Sequence, residues 1–124
     1  MKPCKAILLN ARENTVEFVT INTFEDISKF GKFDLFTCVQ VDAKGNTLFV
    51  DDEGLLNGTN VGFTWEGMKQ VLMGNAIILG TDLNTGDSLD TDLTLEQVRD
   101  KTQCFVRFGR NFLKAPGLGP NIVA

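Results

Sequence analysis

A chain of 124 residues, 43% of them hydrophobic, has the length of one domain and enough apolar side chains to build its own core. Its net charge of −4 is unevenly spread: from Arg99 onward five cations (Arg99, Lys101, Arg107, Arg110, Lys114) stand against Asp100, while residues 1–98 carry seven cations and fifteen carboxylates. An acidic body repels nucleic acid, which excludes general DNA or RNA binding; the basic end is either a solvated tail or a grip for a compact anion.

In chain order, Ala6–Leu9 is a short apolar run, Asn10–Asn14 a turn, and Val16–Ile21 a second strand, predicting a hairpin with Arg12 near its tip. Asn22 and Glu25 are spaced as a capping box, and Phe24, Ile27 and Phe30 follow at helical spacing, predicting a helix from Thr23 to about Phe30 that stops at Gly31. Leu35–Val41, the turn Ala43-Lys44-Gly45-Asn46 and Thr47–Val50 read as a second hairpin, closed by Asp51-Asp52-Glu53-Gly54. Val61, Phe63 and Trp65 alternate with Gly62 and Thr64, the period of a strand packed on one face. Lys69–Met73 reads as one helical turn, Asn75–Gly80 as a buried strand, and Asp82–Asp92 as a polar loop. Thr94 and Gln97 make a capping box for a second helix to about Lys101, and Cys104–Phe108 forms a last strand. The fold class is α+β: a mostly antiparallel, twisted sheet with two short helices, in one domain over residues 1–108. Residues 109–124, rich in glycine and proline, read as a C-terminal tail.

The chain has no apolar run of about 18 residues, and the four apolar residues after Met1-Lys2-Pro3-Cys4-Lys5 are too few for a signal peptide, so a cytoplasmic location without membrane contact is expected. Cys4, Cys38 and Cys104 are widely spaced and odd in number, which reads as three reduced thiols in or near the core.

Catalysis is not expected. The absence of histidine removes the commonest general base, the triads built on it and the commonest metal ligand. No phosphate-binding glycine loop precedes a lysine, and Gly117-Leu118-Gly119-Pro120 neither follows a strand nor opens a helix. Asp51 and Asp52 point to opposite faces of a strand, and Asp82–Asp87 matches a calcium loop for four residues before Asp87 replaces its glycine. Neither metals nor cofactors are expected.

Ten phenylalanines and one tryptophan supply the core, yet Phe63, Trp65, Phe105, Phe108 and Phe112 fall in or near the basic portion. A ring beside a guanidinium can stack a base while the arginine forks onto phosphate oxygens. The same aromatics read equally as core.

The ordered blocks Lys5-Ala6-Ile7-Leu8-Leu9, Leu48-Phe49-Val50-Asp51-Asp52-Glu53-Gly54 and Gly74-Asn75-Ala76-Ile77-Ile78-Leu79-Gly80 resemble, over residues 5–108, a family of small phage proteins that includes the first-described Thoeris anti-defence proteins. That resemblance implies a non-enzymatic sponge for the cyclic ADP-ribose isomers made by bacterial TIR-domain enzymes, acting in the infected host cell. It also implies a homo-oligomer with pockets between copies, and a separate site for cyclic oligonucleotides. A cyclic ADP-ribose has roughly 35 heavy atoms, and at ~0.3 kcal/mol per atom its binding ceiling of ~10 kcal/mol demands nearly full enclosure. A chain this short is expected to enclose it as at least a dimer. Within this reading Phe63 and Trp65 are stacking candidates, and Asn75 contacts base or ribose. Arg107 and Arg110 hold the pyrophosphate on a terminal segment that closes as a lid, and Arg12 serves the second nucleotide site. The rival reading is an acidic inhibitor that binds a host defence enzyme directly.

Overall fold

Phe63, with no exposed surface, sits where two sheets meet, and the architecture follows from how the apolar residues on either side of that junction are divided. The computed structural model describes residues 2–52, 60–108, 111–114 and 121–122, with side chains among them as far as Phe105. The larger sheet contains β1 (Cys4–Asn10), β2 (Thr15–Ile21), β3 (Phe36–Gln40), β4 (Thr47–Asp51), β7 (Ala76–Thr81), β8 (Ser88–Leu89) and β11 (Asn121–Ile122). Their order is β11-β2-β1-β7-β4-β3, with β8 pairing β7. The smaller sheet is β10 (Asn111–Lys114), β9 (Thr102–Phe108), β5 (Val61–Trp65) and β6 (Leu72–Met73) in that order. Every described pairing is antiparallel except β11 with β2. The chain is thus a mixed α+β domain with two helices, α1 (Phe24–Gly31) and α2 (Leu95–Lys101).

The alternation of side chains along each strand sorts the core into two layers. On one face of the larger sheet Ile7, Leu9, Leu48, Val50, Ala76 and Ile78 pack against Phe63, Trp65 and Cys104 of the smaller sheet and Leu95 and Val98 of α2. On the other face Cys4, Ala6, Leu8, Phe49, Ile77 and Leu79 pack against Ile27 of α1 and Phe33 just beyond it. The central strand β7 reads AIILGT and is buried through Gly80 because it is covered on both faces.

The first helix is capped one residue later than the Asn22–Glu25 spacing suggests. Thr23 is the N-cap, and the Asp26 carboxylate accepts from the amides of Asn22 (2.8 Å) and Thr23 (3.2 Å). One carboxylate that satisfies two amides displaces the frame in which Glu25 would satisfy one. Phe24 therefore opens the helix on its solvent side, 58% exposed, instead of joining Ile27 in the core. Gly31 is the last residue inside the helix and not the residue that stops it; the C-cap is Lys32, left-handed at φ 59° with its amide bonded to the Ser28 carbonyl. A β-carbon on Gly31 would collide with the Phe33 ring, which folds back over it.

Residues 69–73 do not form a helical turn. Leu72 and Met73 pair with Phe63 and Gly62 as β6, and the Leu72 carbonyl lies where a β-carbon on Gly62 would stand. The second helix starts as its spacing predicts, with Thr94 and Gln97 forming a reciprocal box at 3.1 and 2.9 Å. Within the segment read as a tail, residues 111–114 form β10 and residues 121–122 form β11. All three cysteines are free thiols; Cys4 and Cys104 are buried, and Cys38 is exposed on β3.

Candidate functional site

The turn between β1 and β2 is built to hold its backbone against the middle of the chain. Ala11, 6% exposed, donates its amide to Asn75 Oδ1 at 3.0 Å, and the Glu13 amide donates to Asn10 Oδ1 at 2.9 Å. The same Asn75 donates Nδ2 to the Gly31 carbonyl at 3.3 Å. One amide side chain thus clasps the β1–β2 turn to the end of α1, using an acceptor and a donor on the same group. Gly74, before it, adopts φ 89° and donates its amide to the Val61 carbonyl at 2.9 Å. A non-glycine residue would carry strain at that φ.

This clasp borders a cleft of about 150 Å³ lined by Arg12, Gly31, Lys32, Phe33, Asp51, Val61, Gly74 and Asn75. Arg12 projects from the turn, and the left-handed conformation of Lys32 carries the chain out of α1 beside it. Two cations and one carboxylate line a space with an apolar wall from Phe33 and Val61. Arg12 and Lys32 are both exposed, and neither forms a salt bridge with a described residue. Such a cleft can hold an anionic group by charge-assisted hydrogen bonds. Its volume of about 150 Å³ lies below the ~300–1,000 Å³ that encloses a drug-sized ligand, so it has room for a small group and not for a whole ligand of that size.

The residues singled out from the sequence fall into three groups. Arg12 and Asn75, assigned to two different sites, line one cleft. Phe63 and Trp65 are 0% and 4% exposed and belong to the core between the sheets, so neither presents a ring to a ligand. Arg107 lies on β9, one residue past Val106, which pairs with the cleft residue Val61. The Arg107 side chain and the whole of Arg110 lie outside the described residues.

Sequence reasoning did not single out Lys32, which lines the cleft from a left-handed backbone that a lysine rarely adopts. A second concavity of about 430 Å³ also went unread; it is lined by Phe24, Phe36, Cys38, Gln40, Thr47, Phe49, Thr81, Gly86 and Ser88. It carries no charged side chain. Phe24 is the visible signal there, an aromatic residue at the first position of a short helix.

Among the described residues no cluster of three cysteines, aspartates or glutamates could hold a metal ion. No helix among them is long and apolar enough to cross a membrane. Residues 2–105 match the sequence model of a family described as a domain of unknown function, DUF3846. No curated protein and no solved structure matches the chain.

Proposed function

The chain belongs to the DUF3846 family, and we propose that it binds and sequesters an anionic cyclic nucleotide without converting it, blocking the Thoeris defence signal. The ligand we infer is a cyclic ADP-ribose isomer, the glycocyclic form with a ribose–ribose link above all, captured in the cytoplasm of an infected bacterium. The observation that carries this reading is the cleft in which Arg12 and Lys32 flank the Asn75 clasp. In an acidic chain, two cations on one concave surface are the natural place for a pyrophosphate. Arg107, a cation of the basic segment, lies on β9 one residue beyond Val106, the partner of the cleft residue Val61. Because the cleft takes only part of such a ligand, the remainder must be enclosed by a second copy or by the segment after β9. The uncharged 430 Å³ groove offers no group to neutralise phosphate.

The test is calorimetry with a cyclic ADP-ribose isomer, followed by heat release and mass spectrometry of the ligand. Intact compound should return in full, and Arg12→Ala and Lys32→Ala should each weaken binding, by about tenfold if each cation makes one charged hydrogen bond of ~1.5 kcal/mol. Lys44→Ala, on the remote β3–β4 turn, should bind like the parent. Time-dependent appearance of linear ADP-ribose refutes sequestration. Undiminished binding by both cleft variants places the anion elsewhere.

A further inference from the structure

Among the described strands β3 is an open edge, and its register fixes its hydrogen-bonding pattern. The Asp52 amide donates to the Leu35 carbonyl (3.0 Å) and the Val41 amide to the Asn46 carbonyl (2.8 Å). With the register Phe36↔Asp51 to Gln40↔Thr47, residues 35, 37, 39 and 41 therefore turn their backbone groups toward β4. The N–H and C=O groups of Phe36, Cys38 and Gln40 face outward along the edge. Proteins guard such edges with lysine, proline, a bulge or extreme shortness. The sequence FTCVQ has none of these. Of the other strands that end the two sheet orders, β11 and β6 are two residues each, and β10 carries Lys114.

We infer that a second copy of this chain pairs antiparallel with β3 across a two-fold axis at Cys38. The occupant follows from the strand itself. The three outward residues are symmetric about Cys38, so two copies in antiparallel register match Phe36 with Gln40 of the partner subunit and Cys38 with its own counterpart. Each pair then exchanges both backbone hydrogen bonds. The five residues of β3 bear no charge, so along the paired strands themselves no like charges are opposed. Phe36, Cys38 and Gln40 also line the uncharged 430 Å³ groove, which α1 leaves open on this side of the sheet. Pairing at β3 joins the two copies' grooves into one trough, so each groove is incomplete without its partner. The inference deepens the oligomeric part of the proposed function, but the pairing requires no ligand.

Sedimentation of the full chain at a concentration on the order of tens of micromolar should give a species of twice the 13.7 kDa chain mass. Directly opposed residues in such a pair have Cα atoms about 5.5 Å apart, within the ~4.4–6.8 Å that a disulfide spans. Diamide should therefore join the two Cys38 thiols into a covalent dimer. Cys38→Ser should remain a dimer and lose the crosslink. A Cys38→Ser, Gln40→Cys double variant puts the only exposed described thiol opposite Phe36 of the partner subunit and should also lose it. Cys38→Pro removes an outward N–H that no described strand uses, and should be monomeric with an unchanged circular dichroism spectrum. A monomeric parent overturns the inference. So does a folded Cys38→Pro variant that stays dimeric, or a Gln40→Cys double variant that crosslinks as readily as the parent. Should Cys38→Pro fail to fold, the parent mass and the two crosslinking variants decide. None of these measurements involves a nucleotide, so failure here leaves the binding reading standing, and failure to bind leaves the dimer standing.

Discussion

Replacing Asn75 by alanine removes the clasp while leaving every cation of the cleft in place. Two hydrogen bonds go. The bond from the Ala11 amide at 3.0 Å is the costlier, because Ala11 is 6% exposed and its N–H would be left without a partner. A stranded buried donor costs ~1–3 kcal/mol. The bond to the Gly31 carbonyl is long at 3.3 Å and adds about 0.5 kcal/mol. A total near 2 kcal/mol, divided by an unfolding entropy of ~2.1 cal/mol/K per residue over the chain, lowers Tm by about 8 °C. The loss should appear in urea as a lower midpoint with an unchanged slope, since the surface exposed on unfolding barely changes. Affinity for the nucleotide should fall as well, because the turn bearing Arg12 is no longer tied to the end of α1 bearing Lys32. Asn75→Asp separates the two effects: it keeps the acceptor for Ala11 but loses the donor and adds a negative charge to the cleft. It should bind worse than Asn75→Ala even if it is more stable. A Tm within about 2 °C of the parent for Asn75→Ala would refute the clasp. Tighter anion binding by Asn75→Asp would refute the electrostatic reading of the cleft.

Thiol chemistry tests the placement of the cysteines: in dilute native protein Cys38 should react first with a maleimide, with Cys4 and Cys104 protected until unfolding. Burial pushes the Cys104 thiol up to about 11, so it is protonated at neutral pH; equal labelling of Cys104 and Cys38 in the native state would contradict the core assignment. Acid stability tests the link between the β3–β4 turn and the segment before α2. The Asp92 carboxyl lies below its ordinary value, held there first by the hydrogen bond from Asn46 Nδ2 at 2.6 Å and then by Lys44 at 3.5 Å. A depressed carboxylate contributes stability that is complete above its unfolded value and lost as pH falls through its folded one. Asp92→Asn should thus be less stable than the parent near neutrality, with the difference closing below about pH 4; a gap independent of pH would sink this account.

Elements whose signals are local were legible from the sequence. The β1–β2 hairpin, the β3–β4 hairpin, the buried run of β7 and the Thr94–Gln97 box of α2 each rest on periodicity or capping within a few residues, and each stands where those patterns put it. The cap of α1 was off by one because Asn22 and Thr23 compete for the same role, and only the geometry of Asp26 decides between them.

Tertiary structure decided the rest. The period of Val61, Phe63 and Trp65 marks one packed face without saying what packs on it; the smaller sheet closes over it, and the rings become core. Residues 72–73 pair as a strand because Gly62 lets their backbone approach, a contact made ten residues away. The cleft draws on the β1–β2 turn, the end of α1, the end of β4 and the approach to β7. No periodicity links such distant segments. A charge count points to the C-terminal segment, where the Arg107 and Arg110 side chains lie outside the described residues; Arg12 and Lys32, which line one cleft, lie in the acidic half. Sequence sums charge along the chain, whereas folding sets charges from distant segments around one concave surface.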